Sequence, residues 1–423
     1  MKLNYKLTIL IGLGFMSISS FWQLYDNIIP LILQNTFGLR ETLTGAIMAL
    51  DNILAVFLLP IFGAFSDKIN TKIGKRTPFI IIGTIISIIF MTMIPYADNT
   101  RNFPLFFISL AAVLLAMGTY RSPAVALMPD LTPKPLRSKA NAIINLMGAA
   151  GGIFTLAMIS KLIPKEANPS YAGIFKAVSI FMLASVAILI STIRENKLAK
   201  EIPLDIEPAA DEEQGRAEKL PKDVMRSLAF ILVSVFLWFT AYNAITTAFS
   251  RYATRVWNLQ GGGFANALMV ATGAAIVAFI PIGAISSKVG RKKPIIAGII
   301  LMTLSYFTVF LFVEYSPLIN IAFAFTGFGW AAINVNSYPM VVEMSKSSDI
   351  GKYTGYYYTF SMAAQIFTPI LSGFLLETVS YRILFPYAIF FSLASLATMM
   401  LVKHGDSKPP TKASILESFD VDD

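Results

Sequence analysis

The sequence predicts an all-α membrane protein, with twelve transmembrane helices in two pseudo-symmetric six-helix bundles. Three observations predict it. The 423 residues are 55% hydrophobic and only 14% charged, whereas a soluble domain carries about 25% charged residues. Apolar runs recur at the length a bilayer requires, about 20 residues. A charged stretch at 194–226 divides those runs six and six, and short motifs recur on its two sides.

The first six spans are placed at 7–33, 41–66, 77–96, 103–130, 139–162 and 171–193, and the second six at 227–250, 264–288, 293–313, 317–343, 353–376 and 382–402. In hydrocarbon each backbone N–H and C=O needs a partner within its own segment, so the spans are read as helices. The alternation of a membrane barrel is absent. The first span is too long for a signal-peptide core and has no small-residue cleavage site, so it is expected to be retained. The intervening stretch contains Pro203, Pro208 and Pro221 among many charges and reads as a mobile linker. The chain thus divides into a bundle at 1–193, the linker at 194–226, a bundle at 227–402 and a disordered tail at 403–423.

The net charge is +9, and its distribution speaks for topology rather than for nucleic acid. The termini and even-numbered connections hold about 25 of the 34 Lys and Arg, the odd-numbered ones about 7. That asymmetry places both termini in the cytoplasm of a multi-pass protein of the cell membrane. There is no cysteine, which excludes disulfides, thiolate nucleophiles and Cys-based metal sites. The single histidine, His404, follows the last span. No phosphate-binding GxxxxGK[ST] loop, nucleophile–base set or metal cluster is found, so neither an enzyme, a resident cofactor nor ATP-driven pumping is expected.

Two repeats relate the halves. "PIFGAFSDKINTKIGKRTPFIIIG" follows the second span, and "PIGAISSKVGRKKPIIAG" follows the eighth. Gly63, Asp67, Lys68, Gly74, Lys75 and Arg76 in the first copy correspond loosely to Gly283, Ser287, Gly290 and Arg291 in the second. Asp130 ends the fourth span, and Glu343 ends the tenth. The glycines are expected to let helices pack closely. Asp67 is expected to pair with the basic cluster and hold one side shut, with a weaker latch where Ser287 replaces it. Internal repeats of this kind build transporters whose solute site lies between the halves.

The Gly-x-x-x-Asp-Lys…Gly-Lys-Arg loop resembles the signature of the major facilitator superfamily. Its extra residues before Gly74, with "ALMPDLTPKPLRSKANAIINLMGAAGGI" and "GKYTGYYYTFSMAAQIFTPILSG", resemble the sucrose/proton symporters and the glycoside–pentoside–hexuronide:cation symporter group. The resemblance implies a monomeric, cation-coupled symporter of a glycoside such as a disaccharide. It also matches Asp130 to the carboxylate thought to carry the proton. Sodium is the alternative coupling ion, and proton-driven efflux of amphipathic compounds the alternative function.

Carboxylates inside spans are costly and are functional candidates. Removal from water favours a protonated carboxyl and a nearby cation favours the ionised form, so a group moved between such settings can load and release a proton. Asp130, Asp51, Asp26 and Arg121 are the coupling candidates. Asp130 is equally readable as a gate ion pair, and Arg121 as the partner of Asp26 or Asp51. Arg121 precedes Asp130 by nine residues, on the opposite side of a straight helix, and Val125 stands where plant-type sucrose symporters have their arginine. Sugar recognition needs aromatic faces beside hydroxyl-binding groups. Trp22, Gln23, Tyr25, Asp26 and Asp51 supply these in the first half, and Tyr242, Asn243, Asn334, Asn336, Tyr357 and Gln365 in the second. Each polar group can instead bond one helix to another.

Overall fold

A computed structural model describes residues 3–133, 136–166, 169–201, 221–344 and 350–406. Fourteen α-helices occur among them. The first half contains α1 (Tyr5–Asn35), α2 (Glu41–Met48), α3 (Leu50–Lys68), α4 (Thr77–Asn99), α5 (Phe103–Asp130), α6 (Arg137–Leu162) and α7 (Ala172–Thr192). The short α8 (Glu195–Glu201) follows. The second half contains α9 (Lys222–Val256), α10 (Ala265–Val289), α11 (Lys292–Phe310), α12 (Ile319–Val342), α13 (Ile350–Thr378) and α14 (Leu384–Leu401).

Helices α2 and α3 form one span, interrupted at Ala49. The Tyr25 hydroxyl of α1 donates to the Met48 carbonyl beside that break, at 3.2 Å. Among the described residues, eleven spans are apolar and long enough to cross a bilayer. The twelfth, α12, has 24 residues, but Asn320, Asn334 and Asn336 dilute its apolar character. The fold is therefore the twelve-helix, two-bundle arrangement that the composition and repeats predict.

The start of the linker departs from the expectation of a mobile segment. Glu195 is 2% exposed. Its carboxylate accepts from the backbone N–H groups of Lys75 (2.8 Å), Arg76 (3.0 Å) and Thr77 (2.9 Å), and from the Thr77 hydroxyl (2.7 Å). These are the donors that the first turn of α4 leaves unpaired, and a carboxylate complements that end of a helix. Gly74 is required here: its φ is +127°, and a Cβ would lie 2.0 Å from Glu195 Oε2. The second half repeats the device at the start of the tail. Asp406 accepts from Lys292 N–H at 2.9 Å, beside Gly290 with φ +91°. His404 Nδ1 and Ser227 Oγ are 2.9 Å apart. Residues 202–220 and 407–423 lie outside those described. Glu195→Ala is expected to destabilise the protein by about 2 kcal/mol, as charge-assisted bonds to α4 are lost, and to lower its thermal unfolding midpoint in detergent.

Both halves meet on the face opposite the termini. A Cβ on Gly45 of α2 would lie 1.9 Å from the Pro369 carbonyl oxygen of α13, and one on Gly373 would lie 2.5 Å from the Glu41 carbonyl oxygen. On the other flank, a Cβ on Gly262 would lie 1.9 Å from the Ile159 carbonyl oxygen, and Ser160 Oγ donates to Asn266 Oδ1 at 2.8 Å. Small residues permit this backbone-to-backbone closure.

Candidate functional site

A cavity of about 40 Å³ lies between the halves, in the half of the helices nearer the face opposite the termini. Gln23, Asp26 and Asn27 of α1 line one wall. Tyr242 and Thr246 of α9, Thr272 of α10 and Thr326 of α12 line the facing one. These residues share a wall because they recur at helical spacing: positions 23, 26 and 27 form one face of α1, and 242 and 246 one face of α9. Gln23 Oε1 accepts from Asn27 Nδ2 at 3.3 Å. Around this level, Trp22 Nε1, Asn27 Oδ1 and Asn243 Nδ2 are buried without a hydrogen-bond partner among the described residues. Such orphaned groups are uncommon and call for a partner; a solute hydroxyl would satisfy them. Solute sites usually measure about 300 Å³ or more, so the halves must part here for a sugar-sized molecule to enter.

Asp51 and Arg121 do not line this cavity. Asp51 lies within electrostatic range of Asp26, and Arg121 within range of Asp51. Asn52 Nδ2 donates to Asp51 Oδ1 at 2.8 Å. The Arg121 guanidinium lies 5.8 Å from the Trp22 ring centroid. Of the two carboxylates that Arg121 is expected to partner, Asp51 is the one within its electrostatic range.

Asp130 lies at the end of α5, among basic side chains. Its Oδ2 accepts from Arg76 Nε at 2.8 Å and lies 3.1 Å from Lys75 Nζ. Arg76 also bonds Asp67 and Ser66 and is 5% exposed at its side chain. The second half repeats the arrangement. Arg291 Nε donates to Glu343 at 3.0 Å, and its Nη2 to Glu343 Oε1 at 2.5 Å. Arg76 and Arg291 each precede the third span of their half, and Asp130 and Glu343 each end the fourth. The nine-residue step from Arg121 to Asp130 spans about 13 Å of helix. That length separates a mid-span arginine from a helix-end carboxylate. Asp130 thus sits in charge pairs at the helix ends, the geometry of the gate ion pair that is its alternative reading. Lys75 is 4.0 Å from Asp67 as well. Lys68 is exposed at the end of α3. Gly63 packs against Ser122, where a Cβ would lie 2.8 Å from the hydroxyl. Gly283 is buried and its carbonyl accepts from Ser287 at 3.1 Å.

Other candidates are not among the residues lining this cavity. Tyr25 is buried against the break between α2 and α3. Asn336 is 0% exposed and donates to the Ala332 carbonyl of its own helix at 2.9 Å. Tyr357 is buried, with its hydroxyl 2.9 Å from Ser337 Oγ. Asn334 and Gln365 are half-buried outside the cavity lining.

The Major Facilitator Superfamily family model matches residues 11–312 and 257–418. The chain belongs to the major facilitator superfamily. It is accordingly a membrane transporter and not an enzyme. This superfamily member is 28% identical to a sucrose transport protein of Arabidopsis thaliana, over 43% of this chain and 35% of that protein. It is 29% identical to one of Oryza sativa subsp. japonica, over 47% of this chain and 44% of that protein. The chain therefore aligns with less than half the length of these relatives. Its fold is similar to the inward-open xylose transporter of E. coli, with a TM-score of 0.66 and 14% identity, over 98% of each chain.

Sequence reasoning missed one aromatic of this superfamily member. Trp330 of α12 stacks on Tyr242 with centroids 3.7 Å apart and planes 3° apart, and Phe239 meets it edge-on at 5.3 Å. It lies four residues before Asn334, which was singled out for its amide; an indole on the same helical face was the available signal. Asn27, Thr246, Thr272 and Thr326 were also passed over, because threonine and asparagine in spans are commonplace.

Proposed function

We propose that the chain is a proton-coupled symporter of a glycoside, in the cell membrane with both termini cytoplasmic. The observation that carries this reading is the cavity between the halves. Carboxylate, amide and hydroxyl groups converge there beside aromatic rings, with three orphaned polar atoms at the same level. The names of the sucrose transport relatives support a sugar. The stacked Tyr242–Trp330 pair offers a rigid ring face to the apolar C–H face of a pyranose, while Gln23, Asn27 and Asn243 take its hydroxyls.

In this reading Asp51 and Asp26 exchange the proton and Arg121 governs them. When Arg121 lies close, its charge favours an ionised partner. When the halves tilt and the distance changes, the partner rebinds a proton. Asp130 and Glu343 act elsewhere, as cytoplasmic latches that tie the third and fourth spans of each half and let the bundles rock as units. The working unit is a monomer, with the solute path inside a single chain.

Uptake by proteoliposomes across a panel of glucosides and galactosides tests the substrate class. Accumulation of at least one glycoside is expected, with Trp330→Ala raising its half-saturation concentration roughly tenfold through loss of ring contact. Export of an amphipathic dye, with no glycoside competing, would overturn the sugar reading.

A further inference from the structure

The face opposite the termini is held shut by a polar network that joins the two halves. At its centre Arg251 Nε of α9 donates to Glu41 Oε2 of α2 at 3.0 Å, with side chains 3% and 4% exposed. Arg251 Nη1 also donates to the Thr247 carbonyl at 2.7 Å. Around this pair, Arg255 donates to Asn35 at 3.1 Å, and the Thr42 hydroxyl to Glu377 at 2.6 Å. Every one of these side-chain bonds except that to Thr247 crosses from one half to the other.

The network is incompletely satisfied. Gln34 Nε2, Thr44 Oγ1 and Ser250 Oγ are buried without a hydrogen-bond partner among the described residues. An open pocket of about 440 Å³, lined in part by Gln34, Arg40, Arg255, Glu377 and Tyr381, borders the buried Glu41. A buried ion pair gains little net stability, because desolvation offsets the attraction, whereas losing one partner strands a charge that water would solvate. The position of this pair, one layer beneath a polar vestibule, gives each charge a nearby aqueous destination when the halves separate.

We infer that Glu41 and Arg251 form the releasable lock of the face opposite the termini, and that their separation is the step that opens it. The pair touches neither the cavity between the halves nor the latches. It acts by setting the balance between closed and open forms, so its residues position the machinery rather than bind solute.

The absence of cysteine from the sequence makes the test direct. Thr44 is 0% exposed, one turn from Glu41, and Thr44→Cys serves as the sole thiol. Its modification by a bulky polar maleimide is followed in purified full-length protein. Arg251→Gln and Glu41→Gln, each in that background, are expected to raise the labelling rate on the order of tenfold. The charge-swapped Glu41→Arg/Arg251→Glu protein is expected to return it toward the parental rate. Should a neutral variant fail to assemble as a monodisperse protein, Arg251→Lys is read in its place, with a smaller rise expected. Unchanged labelling in the assembled single variants, or a swap that labels as fast as they do, would overturn the assignment. The measurement needs neither sugar nor coupling ion, so its failure is distinct from a failure of the proton–glycoside reading.

Discussion

Asp51→Asn is expected to abolish uphill accumulation of solute while leaving exchange of solute across the membrane. A carrier without a coupled ion has no differential free energy to draw on, so the accumulation ratio should fall to about one. Asparagine preserves the size of Asp51 and cannot exchange a proton, which separates coupling from packing. Asp51 lies at mid-span, within range of Asp26 and Arg121. Asp130→Asn should behave differently: it weakens the bonds to Arg76 and Lys75, slowing turnover yet keeping the accumulation ratio well above one. Counterflow and gradient-driven uptake, measured side by side for both variants, check this. Retained accumulation in Asp51→Asn together with its loss in Asp130→Asn would give the carrier role to Asp130.

The second large effect is steric. Gly45→Val should arrest the cycle by wedging apart the face opposite the termini. The backbone of α2 there touches the backbone of α13, with 1.9 Å between a Cβ on Gly45 and the Pro369 oxygen. A carbonyl in a packed helix cannot rotate aside like the end of a flexible side chain. Overpacking of this kind costs about 3 kcal/mol, or on the order of a hundredfold in the closed population. Transport should fall by a comparable factor, and a maleimide should reach Thr44→Cys. Gly273→Ala is the control: nothing lies within 4 Å of its Cβ position, so activity should be unaltered. Normal transport by Gly45→Val would mean that the observed closure is not part of the cycle.

These two variants also mark what the sequence disclosed. The spans and the repeated Gly–basic–Pro motifs were legible because hydrocarbon length and helix-end chemistry act locally. Asp26, Asp51 and Arg121 stand out as candidates because charges inside apolar runs are conspicuous, and the Asp51→Asn variant above tests the coupling role. The partner of Asp130 was not legible. Arg76 lies 54 positions away, and only the packing of α4 on α5 joins them. Glu41 and Arg251 escaped notice because charges at span ends are ordinary; they become unusual only when two helix ends 210 positions apart seal one another from water. The facing of Asn336 and Tyr357 was equally hidden, because an amide or phenol bonding its own helix or its neighbour looks the same in sequence as one bonding solute.

The central claim is that solute and proton cross together through a site built on Asp51, Asp26 and Arg121. Its most direct measurement is the pH of a weakly buffered suspension of proteoliposomes after addition of a transported glycoside, with no imposed ion gradient. The account expects the external medium to become more alkaline with wild-type and Asp130→Asn protein and to stay constant with Asp51→Asn. A constant pH with wild-type protein during measurable uptake, or alkalinisation undiminished in Asp51→Asn, would contradict it.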